Sequence, residues 1–193
     1  TGNNMDREDI EMVLNNFDGL VVIDEAYINY SRYRSFVSDL KDYPNLVVMQ
    51  TFSKAWGLAA LRLGMNFAST GIIDILNKIK PPYNINQATQ ELAMKALDHL
   101  EDVNTMIKET VREREDLVKS LAQLPLVQKV YPSDANFVLA KMTDATAVYN
   151  YLKEKGIIVR NRSKVILCED CLRITVGTPK ENTQLIEALK KYS

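Results

Sequence analysis

Four side chains in the first third of the chain have types that suit covalent chemistry on a carbonyl compound. Lys54 offers a primary amine, and a lysine amine forms a Schiff base with a carbonyl when it is unprotonated. Asp24 follows an apolar segment and offers an anion, while Ser53 and Arg62 offer donors for a phosphate group. Taken singly, each has a common structural explanation, because aspartates often cap helices and single arginines are usually solvated. Their combination indicates a site for a phosphorylated aldehyde.

Pyridoxal 5′-phosphate (PLP) requires this set of groups. It needs an amine for its Schiff base, an anion for its pyridine nitrogen, and cationic and hydroxyl donors for its phosphate. We therefore expect Lys54 to carry the cofactor and Asp24 to keep the pyridine nitrogen protonated. Ser53 and Arg62 are expected to bind the phosphate, and Tyr27 to hydrogen-bond the phenolic oxygen of the ring.

Two cysteines, Cys168 and Cys171, enclose a C-E-D-C segment that could be a redox pair or half of a zinc site. A tetrahedral zinc site needs four ligands, and the chain has one histidine, His99, far away in sequence. A thioredoxin-like pair would stand at the start of a helix, whereas Cys171 leads into the strand-like segment 172–176. We therefore expect no redox function and no metal site.

The overall composition is that of an ordinary globular protein. The sequence is 46% hydrophobic and 25% charged, and its formal net charge of −1 argues against nucleic acid or an anionic membrane as the main partner. No apolar run approaches the roughly 20 residues that span a bilayer, and the polar N-terminus does not resemble a signal peptide. These features predict a cytoplasmic protein.

Short apolar runs predict the elements that position these residues. The segment 6–17 has helical spacing, and 20–23 and 46–49 are continuous apolar runs typical of a parallel sheet covered on both faces. Residues 63–67 form a weaker third strand. The functional side chains follow strand ends, where ligands of α/β sheets bind. So small a sheet leaves its edges unpaired, which indicates half of a larger sheet domain.

The rest of the chain alternates helices and strands. Helices are predicted at 87–100 and 101–124. Beyond them we predict strands at 127–130, 136–140, 157–160 and 172–176, and helices at 145–155 and 180–191.

The order of the motifs resembles the fold-type I aminotransferases, particularly their histidinol-phosphate aminotransferase branch. The resemblance begins with D-E-A-Y at 24–27 and T-F-S-K-A-W-G-L-A-A-L-R-L-G at 51–64. It continues through S-D-A-N-F-V-L at 133–139, G-I-I-V-R at 156–160 and C-L-R-I-T-V-G-T at 171–178. It therefore covers essentially the whole chain.

The resemblance implies an α/β fold: the C-terminal half of the PLP-dependent transferase large domain, a mostly parallel sheet with helices, and a small α+β C-terminal domain. These correspond to residues 1–86 and 125–193, joined by connecting helices in 87–124. Lys54 would be the Schiff-base lysine and the proton-transfer base. Arg173 would clamp the substrate α-carboxylate, and Arg160 would lie near the substrate's own phosphate.

The reaction implied by the resemblance is a transamination in histidine biosynthesis. Histidinol phosphate and 2-oxoglutarate would give imidazole-acetol phosphate and glutamate, in a homodimer. Thr1-Gly2 resembles the end of an N-P-x-x-P-T-G motif whose asparagine contacts the cofactor ring. About half of the family's enzyme, including its phosphate-binding loop, would precede Thr1. We therefore expect this chain alone to bind PLP weakly and not to turn over.

Two alternatives are open. A fold-type I aminotransferase for aspartate, aromatic or other amino acids would share Arg173, whereas Arg160 favours a phosphate-bearing substrate. An aminotransferase-like regulatory sensor would not need the complete transamination set, which is present as Asp24, Tyr27, Lys54, Arg62 and Arg173.

Overall fold

The computed structural model describes residues 2–192, which fold into two compact units. One unit comprises residues 4–106, and the other comprises residues 107–192 with residues 2–3. Thr1, which belongs to the predicted N-P-x-x-P-T-G motif, lies outside the described residues. In the described part of the chain, no helix is both long and apolar enough to cross a bilayer.

The unit 4–106 contains a three-stranded sheet whose strand order is β1-β2-β3. The strands β1 and β2 are parallel, and β2 and β3 are antiparallel. Single-turn 3-10 helices occupy Ile28–Tyr30, Phe36–Asp39 and Ala59–Leu61. The longer elements are α1 (Arg7–Asn16), β1 (Val21–Asp24), β2 (Leu46–Thr51), β3 (Gly64–Ala68) and α2 (Thr70–Ile79).

Two features of this unit differ from the sequence prediction. The third strand runs antiparallel, because the chain between β2 and β3 holds only a 3-10 turn and no crossover helix. The helix α2 was not predicted from the sequence. Its second residue is Gly71, and its segment is rich in isoleucine, a β-branched residue that favours strands.

One face of the sheet β1-β2-β3 packs on a small apolar core. Leu14 from α1 contacts Phe36, Leu46 and Val48, all of which are at most 5% exposed. On the other face, Val22 is 54% exposed. In the described residues, the prediction that these strands are covered on both faces is therefore wrong for β1. In β2 it is confirmed for residues 46–48, because Val47, which faces away from Leu46 and Val48, is also buried at 6% exposure.

A buried carboxylate ties α1 to the loop after β1. Asp39 is 7% exposed and accepts from Arg7 at 2.6 Å and from Arg34 at 2.7 Å. The hydrogen bond that Arg7 donates to Asp39 raises the pKa of Arg7, against the effect of burial. The Arg7 guanidinium also stacks 4.1 Å from the Phe36 ring centroid, so it covers part of the apolar core.

Helices α3 (Gln87–Leu97) and α4 (Leu100–Ala122) follow, close to the predicted bounds. The buried side of α4 includes Val103 and Leu121, but also Arg114, which is 9% exposed. The Arg114 guanidinium donates to the Ala135 carbonyl oxygen at 2.7 Å, and burial lowers its pKa. A side chain that is usually solvated is thus part of the core.

The unit 107–192 contains an antiparallel sheet in the order β4-β5-β7-β6. One face packs against α4, α5 and α6 through an apolar core that includes Leu121, Val138, Leu152, Leu172 and Leu189. The elements are β4 (Val127–Val130), β5 (Phe137–Met142), α5 (Ala145–Glu154), β6 (Arg160–Asn161), β7 (Cys171–Thr175) and α6 (Pro179–Tyr192).

The strand predicted at 157–160 begins only at Arg160. The Ile157 amide donates to the Leu152 carbonyl oxygen at 2.9 Å, so the residues just before β6 complete the end of α5 and do not pair in the sheet.

Cys171 is the first residue of β7, as the sequence indicated, and Cys168 lies in the turn just before the strand. Both are free thiols, and both are buried against Leu139 and Tyr131. Burial raises the pKa of the Cys171 thiol, and nearby Cys168 raises it further. Within the described residues, no group of three or more metal-binding side chains is close enough to hold an ion.

Candidate active site

Four of the predicted site residues line one cleft in the unit 4–106. Because β1 and β2 are parallel, the segments that follow them leave the sheet at the same edge. The antiparallel β3 begins at that edge, which brings Arg62 there as well. The resulting cleft has a volume of about 390 Å³, and its lining includes Asp24, Ser53, Lys54 and Arg62.

The loop that carries Lys54 is held at both ends by backbone hydrogen bonds. Leu58 donates to the Phe52 carbonyl oxygen at 3.0 Å, and Gly57 donates to that of Lys54 at the same distance. Gly57 has a φ of +68°, a left-handed conformation that favours glycine. Phe52 and Ala55 are buried beneath the loop. The lysine therefore projects from a fixed backbone.

The Lys54 amine lies over an aromatic ring. Its Nζ is 5.1 Å from the Tyr27 ring centroid, within the range of a cation–π contact. Tyr27 thus stands beside the lysine in the structure. Tyr30, one turn further on, is buried, and this burial raises its pKa, with a smaller contribution from the Tyr27 phenol.

A threonine joins the two predicted phosphate-binding residues. The Thr51 hydroxyl donates to the Leu63 carbonyl oxygen at 3.2 Å and accepts from the Ser53 amide at 3.0 Å. Arg62, directly before Leu63, has a left-handed backbone with φ 53° and ψ 40°. Thr51 therefore fixes the start of the lysine loop relative to the arginine.

The carboxylate of Asp24 is exposed to the cleft. Its Oδ1 accepts from the Ala26 amide at 2.9 Å, which closes a short turn directly after β1. The neighbouring Glu25 points the other way and is buried. Successive residues of a strand face opposite sides, so the D-E pair places one acid in the cleft and one inside the protein.

The sequence analysis did not identify Gln50 and Thr51, which also line the cleft. A signal was present, because both are polar and directly follow the apolar run of β2, at the strand end where ligands bind.

Arg160 and Arg173, the predicted substrate-binding residues, lie in the unit 107–192. They are directly opposed in the pairing of β6 with β7, so they share one face of the sheet. Arg160 is exposed, and the Arg173 guanidinium lies 4.7 Å from the Phe137 ring centroid. The Phe137 ring is also close to Gly2, where an added Cβ would approach it to 2.9 Å.

A larger concavity of about 770 Å³ runs along α3. It is lined by Gln87, Gln90, Glu91, Met94 and Lys95, all from one helix surface. Several elements contribute residues to the cleft at the sheet edge, whereas this concavity is formed by α3 alone. We therefore assign no role to it.

Curated relatives match the full chain. Histidinol-phosphate aminotransferase of Bacteroides fragilis (strain YCH46) is 54% identical over 192 residues, which is 100% of this chain and 56% of the relative. The protein of the same name from Bacteroides thetaiotaomicron is 55% identical over 192 residues, again 100% of this chain and 56% of the relative. The chain thus spans about half the length of these relatives.

Solved structures share the fold. Histidinol-phosphate aminotransferase from Clostridium acetobutylicum superposes with a TM-score of 0.92 at 23% identity, covering 100% of this chain and 60% of that one. The enzyme of the same name from Sinorhizobium meliloti, solved with PLP, gives 0.79 at 26% identity over 89% of this chain and 48% of that one. L-threonine-O-3-phosphate decarboxylase from Porphyromonas gingivalis superposes with a TM-score of 0.86 at 28% identity. The superposition covers 99% of this chain and 60% of that one.

A family profile matches almost every residue of the sequence. The profile is that of aminotransferase class I and II, and the match extends over residues 1–189. With this coverage, and with the lysine, carboxylate and arginine at one sheet edge, the chain belongs to the class I and II aminotransferases.

Proposed function

We propose that this chain is the lysine-bearing part of a PLP-dependent aminotransferase that converts histidinol phosphate and 2-oxoglutarate into imidazole-acetol phosphate and glutamate. The observation that carries the proposal is the cleft in which Asp24, Ser53, Lys54 and Arg62 converge, with Tyr27 beside the lysine. The names of the curated relatives at 54% and 55% identity support the substrate.

The groups in the cleft fit PLP in type and in number. An amine, a carboxylate, a hydroxyl and a guanidinium stand on loops that leave a single sheet edge. The cofactor requires an amine for its aldehyde, an anion for its ring nitrogen, and hydroxyl and cationic donors for its phosphate. In our proposal residues 1–86 belong to the large, cofactor-binding domain, residues 87–124 are the connecting helices, and residues 125–193 are the small domain.

When bound, PLP supplies an aldehyde for amine attack and a ring that withdraws electrons from the substrate α-carbon. Lys54 would provide the amine that holds the cofactor, and its Nζ would act as the base that moves the proton at the substrate α-carbon. Asp24 accepts a hydrogen bond from the ring nitrogen, and the Tyr27 phenol donates to the ring oxygen. Ser53 and Arg62 donate to the phosphate.

Two arginines of the unit 107–192 are proposed to bind the substrate. Arg173 binds the α-carboxylate of glutamate in a bidentate way, and Arg160 binds the phosphate of histidinol phosphate. Like charges at directly opposed strand positions repel each other, which favours an anion bound at this pair. A substrate that carries a phosphate needs a cation in addition to the carboxylate-binding Arg173, and Arg160 would supply it.

A chimera tests the proposed reaction. The matching segment of the Bacteroides fragilis relative is replaced by this chain, and glutamate formation from histidinol phosphate and 2-oxoglutarate is measured. We expect turnover that the relative lacking this segment does not show. A folded chimera that transaminates aspartate or tyrosine, but not histidinol phosphate, would contradict the substrate assignment.

In this chimera, Arg160→Ala is expected to raise the KM for histidinol phosphate roughly 10- to 100-fold, because a charged hydrogen bond contributes about 1.5–3 kcal/mol. The KM for glutamate, which has no phosphate, should change little. Lys164→Ala, which removes an exposed cation from the same loop, is the matched control. An unchanged KM for histidinol phosphate in the Arg160 variant would show that this arginine does not contact the phosphate.

A homodimer and a cytoplasmic location are part of the same proposal. Large apolar side chains are exposed on α2 and α3, which supports association through this surface: Ile75, Ile79, Leu92, Met94 and Leu97. Sedimentation velocity of the chimera measures the subunit number, and a monomer with full turnover would contradict the dimer.

A further inference from the structure

A buried glutamate lies beside the cleft, next to Asp24 in the chain. Glu25 is 6% exposed, and its carboxylate accepts three hydrogen bonds. The Ser35 hydroxyl donates at 2.5 Å, the Phe36 amide at 2.7 Å and the Gln50 side-chain amide at 3.0 Å. A buried carboxylate is tolerated when its oxygens are satisfied in this way. The three donors come from the end of β2 and from the start of the 3-10 helix Phe36–Asp39.

The backbone of Glu25 is held as firmly as its side chain. Its amide donates to the Met49 carbonyl oxygen at 2.8 Å, and its carbonyl oxygen accepts from the Ile28 amide at 3.1 Å. The second bond closes a turn in which Tyr27 has φ −115° and ψ 5°. Asp24 precedes this anchor and Tyr27 lies within the turn, so both depend on the position of Glu25.

The same carboxylate also orients a residue of the cleft wall. Gln50 lines the cleft, and its side-chain nitrogen donates to Glu25 and, at 3.2 Å, to the Ser35 hydroxyl. Glu25 therefore connects the two strand ends from which the cleft residues project. A shift of its carboxylate would move the Asp24 side and the Gln50 side of the cleft together.

We propose that Glu25 is a positioning residue of the cofactor site. Its buried carboxylate holds the turn that carries Asp24 and Tyr27 at a fixed distance from the end of β2, which leads to Lys54. The role of Glu25 in cofactor binding rests on the proposed function. Its role in holding the turn does not depend on the cofactor and is measured separately.

Two variants of the full chain and a control test this role. In Glu25→Gln, an NH₂ group replaces Oε2, which accepts from both the Ser35 hydroxyl and the Gln50 side-chain amide. The hydroxyl can rotate and accept from this NH₂ group, but the hydrogen bond between residues 25 and 50 is lost, because two NH₂ groups then face each other. In the double variant Glu25→Gln, Gln50→Glu, the donor and acceptor exchange places and the bond can form again. Asp39→Asn is the matched control, because Asp39 is equally buried at 7% in the same unit but contacts Arg7 and Arg34.

The first measurement is amide hydrogen exchange of the purified chain without cofactor. We expect the Ile28 and Phe36 amides to exchange about tenfold faster in Glu25→Gln, the effect of one lost charged hydrogen bond on local opening. The double variant should return them to within about threefold of the unmodified chain, by the same reasoning. The Gly57 amide in the lysine loop should be unaffected. Unchanged exchange at Ile28 in Glu25→Gln would overturn the proposal.

The second measurement is PLP affinity, read from quenching of Trp56, the single tryptophan of the sequence, which lies in the loop that carries Lys54. Glu25→Gln is expected to raise the Kd about tenfold and the double variant to recover most of this loss. At a temperature well below the unfolding transition of the variant, Asp39→Asn should bind PLP with the same Kd as the unmodified chain. An equal loss in Glu25→Gln and Asp39→Asn would show a general effect of destabilisation and overturn the positioning role. Failure of the proposed function would instead appear as a folded chimera without turnover, and if PLP binding to the chain alone is too weak to measure, amide exchange decides on Glu25.

Discussion

Lys54→Ala is expected to abolish covalent attachment of PLP to the chain and to lower transamination by the chimera at least about 10³-fold. The substitution removes both the amine that holds the cofactor and the base that moves the proton at the substrate α-carbon, and such a base alone contributes about 10²–10⁴-fold. Removing a side chain that projects into the cleft should cost little stability, because the loop is held by the backbone bonds of Phe52, Lys54 and Gly57.

Borohydride reduction followed by peptide mass spectrometry checks the attachment. The pyridoxyl mass should appear on the peptide that contains Lys54 and disappear in the variant. Lys78→Ala, at the end of α2, is the control for a general lysine effect. Lys54→Arg keeps the positive charge over Tyr27 and should be as inactive as the alanine variant. A reduced pyridoxyl group on another lysine of the unmodified chain would disprove the assignment.

Asp24→Asn is expected to lower transamination by the chimera about 10²-fold, in line with the loss of one oriented polar group from an active site. The asparagine oxygen can still accept from the Ala26 amide, so the turn after β1 should persist. The charge is lost, however, and a neutral amide does not hold a proton on the ring nitrogen.

A stopped-flow measurement of the half-reaction with histidinol phosphate separates this effect from weaker cofactor binding. We expect the rate at saturating PLP to remain low in Asp24→Asn, while the melting temperature stays close to that of the unmodified chain. Asp42→Asn, an exposed aspartate of the same unit, is the control. A saturated rate equal to that of the unmodified chimera would mean that Asp24 does not serve the ring.

The cleft could be predicted in large part because its determinants are local. Asp24 and Lys54 each follow a short apolar run, and parallel strands deliver such residues to the same edge. Arg62 was predicted from its motif, and the antiparallel β3 that brings it to the edge was not. The roles proposed for these residues follow from the groups that PLP requires, and the family resemblance implies the same roles.

The buried polar residues could not be predicted, because their partners are remote in sequence. Glu25 is buried through donors at Ser35, Phe36 and Gln50, and no periodic pattern relates these positions. Arg114 faces the core because the Ala135 carbonyl oxygen is available there. Hydrophobic periodicity assigns both side chains to solvent, since charged residues are rarely buried without such partners.

The left-handed backbone of Arg62 sets two requirements against each other. A residue with a β-carbon is strained there by about 1–2 kcal/mol, and glycine would relieve that strain. Glycine would also remove the cation from the cleft. Variants of position 62 selected for heat resistance alone should therefore converge on glycine, while variants selected for cofactor retention should keep arginine. Selection of arginine under the second condition alone would show that the backbone strain at position 62 is maintained for cofactor binding.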